Sequence, residues 1–286
     1  MAQTNRVVNL STSLRAIIAL CLLLCTCGCV GDRLILGSNS EKIDPAGAHR
    51  QIVRANGRAV ECWVARSPGA KQPGGRQPEA FLLVFIGKGD RADRWIAAVA
   101  DAWGGRAVEV WGMNYAGSGG SEGPPQLSRV GPDALETYDA IRRIAVKRPI
   151  FIQAGSFGTT AALCVAARRP ISGLVLQNPP PLRQLILGHY GWWNLWLLAG
   201  PAALQIPPDL DSLANAARVR SPAVFIMAGD DEVIPPPYQN RVYAAYAGPK
   251  RRIDMPGARH SDPLTREAAE EFANGRDWLW HSAGLQ

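Results

Sequence analysis

From residue 80 onward the chain alternates between two kinds of segment, and this alternation limits its fold more than any other feature. Short apolar runs at 81–86, 107–115, 150–153, 173–177, 223–228 and 252–255 are separated by turns and by stretches with helical spacing at 91–103, 133–147, 159–169, 238–247 and 264–280. A strand with no polar face must be covered on both sides. Helices of ten or more residues between successive strands supply that cover and carry the chain back for parallel pairing. The pattern predicts an α/β protein with a mostly parallel central sheet and helices on both faces. Segments 51–55 and 59–65 alternate more strictly between polar and apolar residues, so they suit an antiparallel hairpin at the sheet edge.

One stretch breaks the rhythm. Residues 182–215 are too long for a simple crossover and carry Tyr190, Trp192, Trp193 and Trp196, which predicts an inserted cap. Three roles are open to Trp192, Trp193 and Trp196: walls of a substrate pocket, ordinary packing, or contact with lipid. With 286 residues, 47% of them hydrophobic and 19% charged, the chain is neither disordered nor collagen-like nor a multi-span membrane protein. It can bury one large core without disulfide or metal staples. The formal charge is +7, but the arginines are dispersed without a long run, which reads as a solvated basic surface and not as a nucleic-acid interface. No Walker loop, dinucleotide fingerprint or metal-ligand cluster occurs, so neither cofactor nor metal is expected.

The amino terminus reads as an address. Arg6 and Arg15 precede residues 16–30, which hold no charge. That run is shorter than the about 20 residues a membrane span needs, and it matches the apolar region of a secretory signal. Four of the six cysteines (Cys21, Cys25, Cys27 and Cys29) crowd into it, a spacing that suits neither disulfides nor zinc. The segment resembles a bacterial lipoprotein signal. Cys29, after Gly28, fits the lipidated position best, and Cys27 is the alternative. The expected organisation is a signal peptide over 1–28 and one domain over 29–286 with its cap at about 182–215. The protein would be exported to the bacterial cell envelope and held on the membrane by a lipid anchor, facing the periplasm. Cys62 and Cys164 are isolated, and a bridge between them is left open.

In open α/β sheets, ligands bind beyond the carboxyl ends of the strands. After 150–153 comes Ala154-Gly155-Ser156-Phe157-Gly158 and then a helix, the strand–turn–helix setting of a nucleophilic serine. Gly119-Gly120-Ser121-Glu122-Gly123 matches G-x-S-x-G letter for letter, but Pro124 and Pro125 follow it and no helix starts there. A serine nucleophile of this kind is followed in the chain by an acid and then a histidine. Asp230 and Asp231 stand just past 223–228, and His260 just past 252–255. Of the four histidines, His49 precedes the core, His189 lies in the cap and His281 lies in the last helix, which leaves His260.

These pieces together resemble the α/β-hydrolase superfamily across most of residues 50–280, most closely small serine hydrolases of the Bem46-like, depalmitoylase-like and dienelactone-hydrolase-like kind. The resemblance rests on Gly87-Lys88-Gly89, on 114–123, on the serine turn, on Asp231 to Pro235, on Gly257 to His260, and on Asp209-Leu210-Asp211-Ser212. It implies a Ser156–His260–Asp231 triad, with Asp231 favoured over Asp230 by the Asp-x-x-Ile-Pro spacing. It also implies an oxyanion hole formed by the backbone N–H groups of Lys88 and Phe157. The implied activity is cleavage of a carboxylic ester or thioester, on a small-molecule or lipid-like acyl substrate. A peptidase of the same fold and a non-catalytic, membrane-anchored binding lipoprotein are the alternatives. One departure stands out: the family usually has histidine before the first oxyanion glycine, and here Ile86 occupies that place.

Overall fold

The computed structural model describes residues 29–71, 77–192, 197 and 199–286. The expected signal segment 1–28 lies outside the described residues, as do Trp193 and Trp196. Eight strands form one sheet: β1 His49–Ala55, β2 Arg58–Arg66, β3 Ala80–Phe85, β4 Val108–Met113, β5 Ile150–Gly155, β6 Gly173–Gln177, β7 Ala223–Ala228 and β8 Lys250–Met255. Their order is β1-β2-β4-β3-β5-β6-β7-β8. β2 runs antiparallel to both β1 and β4, and every pairing from β4 to β8 is parallel. The edge hairpin and the parallel core are as expected, and each apolar run sits within a residue or two of its strand.

The helices are α1 Cys29–Ile35, α2 Ala92–Asp101, α3 Leu127–Ala145, α4 Gly158–Ala166, α5 Leu182–Gly188, α6 Ala199–Leu204, α7 Ser212–Ala216, α8 Pro236–Ala245 and α9 Arg266–Ser282. Among the described residues no helix is long and apolar enough to cross a membrane. One face of the sheet is buried with α3, α4 and α8 around Phe85, Ile152, Leu176 and Phe225. The other is buried with α2 and α9, where Trp103, Phe151 and Trp280 meet with ring centroids 5.9–6.2 Å apart. Burying each such aromatic side chain contributes about 2–3 kcal/mol of apolar transfer.

α3 begins six residues earlier than the expected 133, running through Pro132. Proline in a helix removes one backbone hydrogen bond, which argues for a later start. The earlier turn holds because Leu127, Val130 and Gly131 are buried and because the Asp32 carboxylate accepts the Leu127 N–H at 2.7 Å. The cap region folds as α5, α6, a 3-10 turn at Pro208–Leu210 and α7. Asp209 ties it to α4 through Arg168 at 2.8 Å, and Asp211 caps α7 by accepting the Leu213 and Ala214 N–H groups at 3.1 Å. Cys62 and Cys164 are buried free thiols, pushed up by burial to about 12 and about 11 respectively.

Candidate active site

Ser156 sits between β5 and α4 with φ of +51°. A left-handed backbone at a non-glycine residue costs on the order of 1–3 kcal/mol and persists only where its surroundings enforce it. Here the Ser156 N–H donates to the Gln177 carbonyl on β6 at 2.8 Å, and its own carbonyl accepts from the Thr159 N–H at 3.0 Å and the Thr159 hydroxyl at 2.7 Å. A turn this sharp leaves room only for small neighbours. A Cβ on Gly158 would lie 2.3 Å from the Phe85 carbonyl oxygen, so only glycine lets α4 start this close to β3.

The loops after β7 and β8 bring two further side chains to this turn. His260 Nε2 lies 3.0 Å from Ser156 Oγ, and His260 Nδ1 lies 2.7 Å from Asp231 Oδ2. An ionised carboxylate only accepts, so Nδ1 carries the proton and Nε2 is left to accept from the serine hydroxyl. Asp231 is 3% exposed and fully engaged. Its Oδ1 accepts from the Val233 and Ile234 N–H groups at 2.9 and 2.7 Å, and its Oδ2 also accepts from the Gln239 side chain at 3.0 Å. Asp230 is exposed and takes no part in this relay. His49, His189 and His281 stand on β1, at the end of α5 and in α9, away from it.

Two residues of the arrangement went unnoticed in the sequence. Gln239, buried in α8, donates to Asp231 Oδ2 and also to the Ile234 carbonyl at 2.7 Å. Asn178, 1% exposed with φ of +48°, donates to the His260 carbonyl at 3.2 Å and accepts the Ala228 N–H at 2.9 Å. It thereby ties the ends of β6 and β7 to the histidine loop. Neither position belongs to a motif. The one available signal is a polar residue placed against the carboxyl end of an apolar strand.

The loop after β3 lies across from the serine. The Lys88 and Phe157 N–H groups donate to no acceptor among the described residues. Tyr115 braces both neighbours: its hydroxyl donates to the Ile86 carbonyl at 3.0 Å, and its ring meets the Phe157 ring edge-on at 5.6 Å. Burial pushes the Tyr115 hydroxyl well above its ordinary pKa, so it stays a donor. The Lys88 ammonium donates to the Leu34 carbonyl at the end of α1, and Gly89 N–H donates to Leu36 O at 3.2 Å.

Ser121, the serine of the competing pentapeptide, is structural. It is 8% exposed, its hydroxyl donates to the Asn114 carbonyl at 2.7 Å, and it accepts the Glu61 N–H at 2.9 Å. Burial raises the Glu61 carboxyl, but hydrogen bonds from the Gly120 N–H, Asn114 and Arg50 outweigh it and leave its pKa lowered.

A cavity of about 540 Å³ opens beside Ser156 and His260. It runs between the sheet and the helices α2 and α9, with Trp95 and Phe272 on its walls. Trp192 is not among its lining residues and stands 67% exposed. Among the described residues no group of three or more His, Cys, Asp or Glu side chains is placed to hold a metal ion.

No family model matches the chain. An uncharacterized protein of Mycobacterium tuberculosis is 32% identical over 228 residues, covering 79% of this chain and 76% of that protein. The α/β-hydrolase domain-containing protein aho-3 of Caenorhabditis elegans is 25% identical over 156 residues, 54% of this chain and 44% of that protein. The fold matches a puromycin-hydrolyzing peptidase of Mycobacterium tuberculosis with a TM-score of 0.65 at 18% identity. That match covers 86% of this chain but only 41% of the peptidase. Est1E of Butyrivibrio proteoclasticus, solved with ferulic acid, matches with a TM-score of 0.64 at 14% identity over 82% of this chain and 99% of its own.

The chain has the α/β-hydrolase fold. Within that fold, loops from three strand ends converge at the carboxyl edge of the parallel sheet, where ligands of open α/β sheets bind, and the Ser156, Asp231 and His260 side chains meet there.

Proposed function

We propose that the protein is a serine hydrolase that cleaves a carboxylic ester or thioester through an acyl-enzyme. The observation that carries this reading is the unbroken relay from Ser156 Oγ through His260 to a buried Asp231. In the first half-reaction His260 Nε2 takes the Ser156 proton as Oγ attacks the carbonyl carbon. Asp231 holds the imidazole in the required tautomer and stabilises its cationic form. The free N–H groups of Lys88 and Phe157 receive the developing oxyanion, the latter helped by the amino-terminal end of α4. The imidazolium then protonates the leaving alcohol or thiol. In the second half-reaction water, deprotonated by His260, attacks the acyl carbon and Ser156 recovers its proton.

The same relay serves a peptidase, and the likeness to a puromycin-hydrolyzing peptidase supports that second reading. The ester reading is favoured by Est1E, which the chain matches over nearly its whole length. A fluorophosphonate probe tests the common step: the wild type is expected to label and Ser156→Ala is not. Labelling that survives in Ser156→Ala overturns the role of Ser156, and an inert wild type overturns the reading and leaves a binding lipoprotein. Comparing p-nitrophenyl esters with aminoacyl amides then separates esterase from peptidase.

Membrane attachment is part of the proposal. The basic, then uncharged, amino-terminal stretch and the Gly28-Cys29 pair support export, removal of 1–28 and lipidation of Cys29. The anchored domain would work on small or lipid-like acyl esters at the periplasmic face, within the depalmitoylase-like branch of the superfamily. Mass spectrometry of the mature amino terminus is expected to find diacylglycerol on Cys29, and an amino terminus without diacylglycerol refutes the assignment to Cys29.

A further inference from the structure

The floor of the cavity beside Ser156 contains two side chains that packing alone does not explain. The floor is built from strand positions facing α2 and α9: Val84 on β3, Gln153 on β5, Val175 and Gln177 on β6, and Ile226 on β7. In a parallel sheet covered by helices these positions are expected to be apolar. Three are valine or isoleucine, each at most 4% exposed. Gln153 and Gln177 break the pattern on adjacent strands. Gln153 pairs with Val175 and Gln177 with Gly155, so the two glutamines lie on one face, two residues apart along the ladder. Neither side-chain amide makes a hydrogen bond among the described residues, although both are partly buried.

An amide held in an apolar wall without a protein partner is a recognition element. It loses little when a ligand supplies the missing hydrogen bond and loses much when an alkyl group covers it. Gln177 is beside the serine turn. Gln153 is three residues upstream of Ser156, which at about 3.3 Å per residue places it roughly 10 Å from the nucleophile along the strand. The charged groups at the mouth are already engaged. Asp90 accepts from the Arg91 N–H, from Arg94 and from the Trp95 indole, and the Lys88 ammonium is bonded to Leu34. The cavity is therefore suited to a neutral chain, with Trp95, Leu264 and Phe272 as apolar walls.

We propose that this cavity takes an uncharged acyl chain bearing a hydroxyl or similar hydrogen-bonding group well along its length, and that Gln153 and Gln177 select for it. This rests on the hydrolase reading for its site, but its test does not need turnover. In the Ser156→Ala protein, calorimetric binding of octanamide is compared with that of its terminally hydroxylated analogue. The hydroxylated chain is expected to bind about tenfold tighter, since the plain chain must cover unpaired amides. In the Gln153→Met/Gln177→Met form of the same protein the two chains are expected to bind alike. Equal binding to the unaltered cavity, no binding of either chain, or a preference that survives the double substitution each overturns the inference. Failure of the wild type to label with fluorophosphonate instead counts against the hydrolase reading alone. If the double variant is unfolded by circular dichroism, the preference of the unaltered cavity and its response to Gln177→Met alone remain decisive.

Discussion

At Ser156 the strained backbone and the short contacts to Gln177 and Thr159 fix the turn from which the hydroxyl meets His260, while Asp231 is fixed by its own donors. The two adjacent acids separate cleanly in this setting. Asp231→Asn is expected to lower kcat by about four orders of magnitude, because an amide partner lets the imidazole settle in the wrong tautomer. Asp230→Asn, an exposed change, is expected to leave kcat within about twofold. Loss of turnover in the Asp230 variant alone would move the role to Asp230. Gln239 is a positioning residue with its own signature. In Gln239→Leu the Asp231 carboxylate loses a donor that fixes its orientation, so kcat is expected to fall about tenfold with KM little changed, and Gln239→Glu is not expected to restore it. Lower stability in urea with an unchanged kcat would mark a merely structural residue. The meeting of Ser156, Asp231 and His260 could be anticipated from the chain because each directly follows an apolar strand. Asn178 and Gln239 could not, since what distinguishes them is burial beside a particular oxygen, and that depends on how β6, β7 and α8 are brought together.

Among the elements, α3 shows how tertiary contacts override a local rule. The Gly131-Pro132 pair argues for a late start, but the Asp32 cap and the buried Leu127 face extend the helix to 127. The same extension buries Asp133, whose Oδ1 has no hydrogen-bond partner among the described residues. Burial pushes its carboxyl up to about 6, against the opposing charge of Arg58 and with help from Glu136. The native state therefore binds this proton more tightly than the unfolded chain does. Its contribution is fully present below the unfolded value near 4 and is lost as pH rises through about 6. Urea denaturation at pH 4.5 and pH 7.5 is expected to show Asp133→Asn gaining stability relative to wild type at the higher pH, by about 1–2 kcal/mol. An identical difference at both pH values would refute the assignment. The segment between β6 and β7 is a parallel case: it interrupts the alternation in the sequence, but Asp209 and Asp211 fasten it to Arg168 and to the start of α7, a role no spacing rule encodes.

For the whole molecule, alternation alone specified an α/β sheet, and the order of acid and histidine after the serine pointed to the edge where the Ser156, Asp231 and His260 side chains meet. The strand order and the face that holds the cavity were not legible. Both depend on which helices pack beside one another, and the tryptophans of the cap drew attention away from the gap between α2 and α9. Residues 29–48, ahead of β1, carry no motif, yet they brace the loop that faces Ser156. Leu34 and Leu36 accept from Lys88 and Gly89, Asn39 donates to Gly89 O at 3.0 Å, and Asp32 caps α3. A chain begun at His49 is expected to retain the sheet by circular dichroism but to lose kcat at least about tenfold, as expected for a misplaced oxyanion donor. Full activity in that shortened chain would show that the loop after β3 stands unaided. If it does not, residues 29–48 work as a strap in mechanical series with the loop after β3. Were the proposed lipid present on Cys29, proteolysis of a few residues beyond it would do more than release the protein: it would also slacken the loop that faces Ser156.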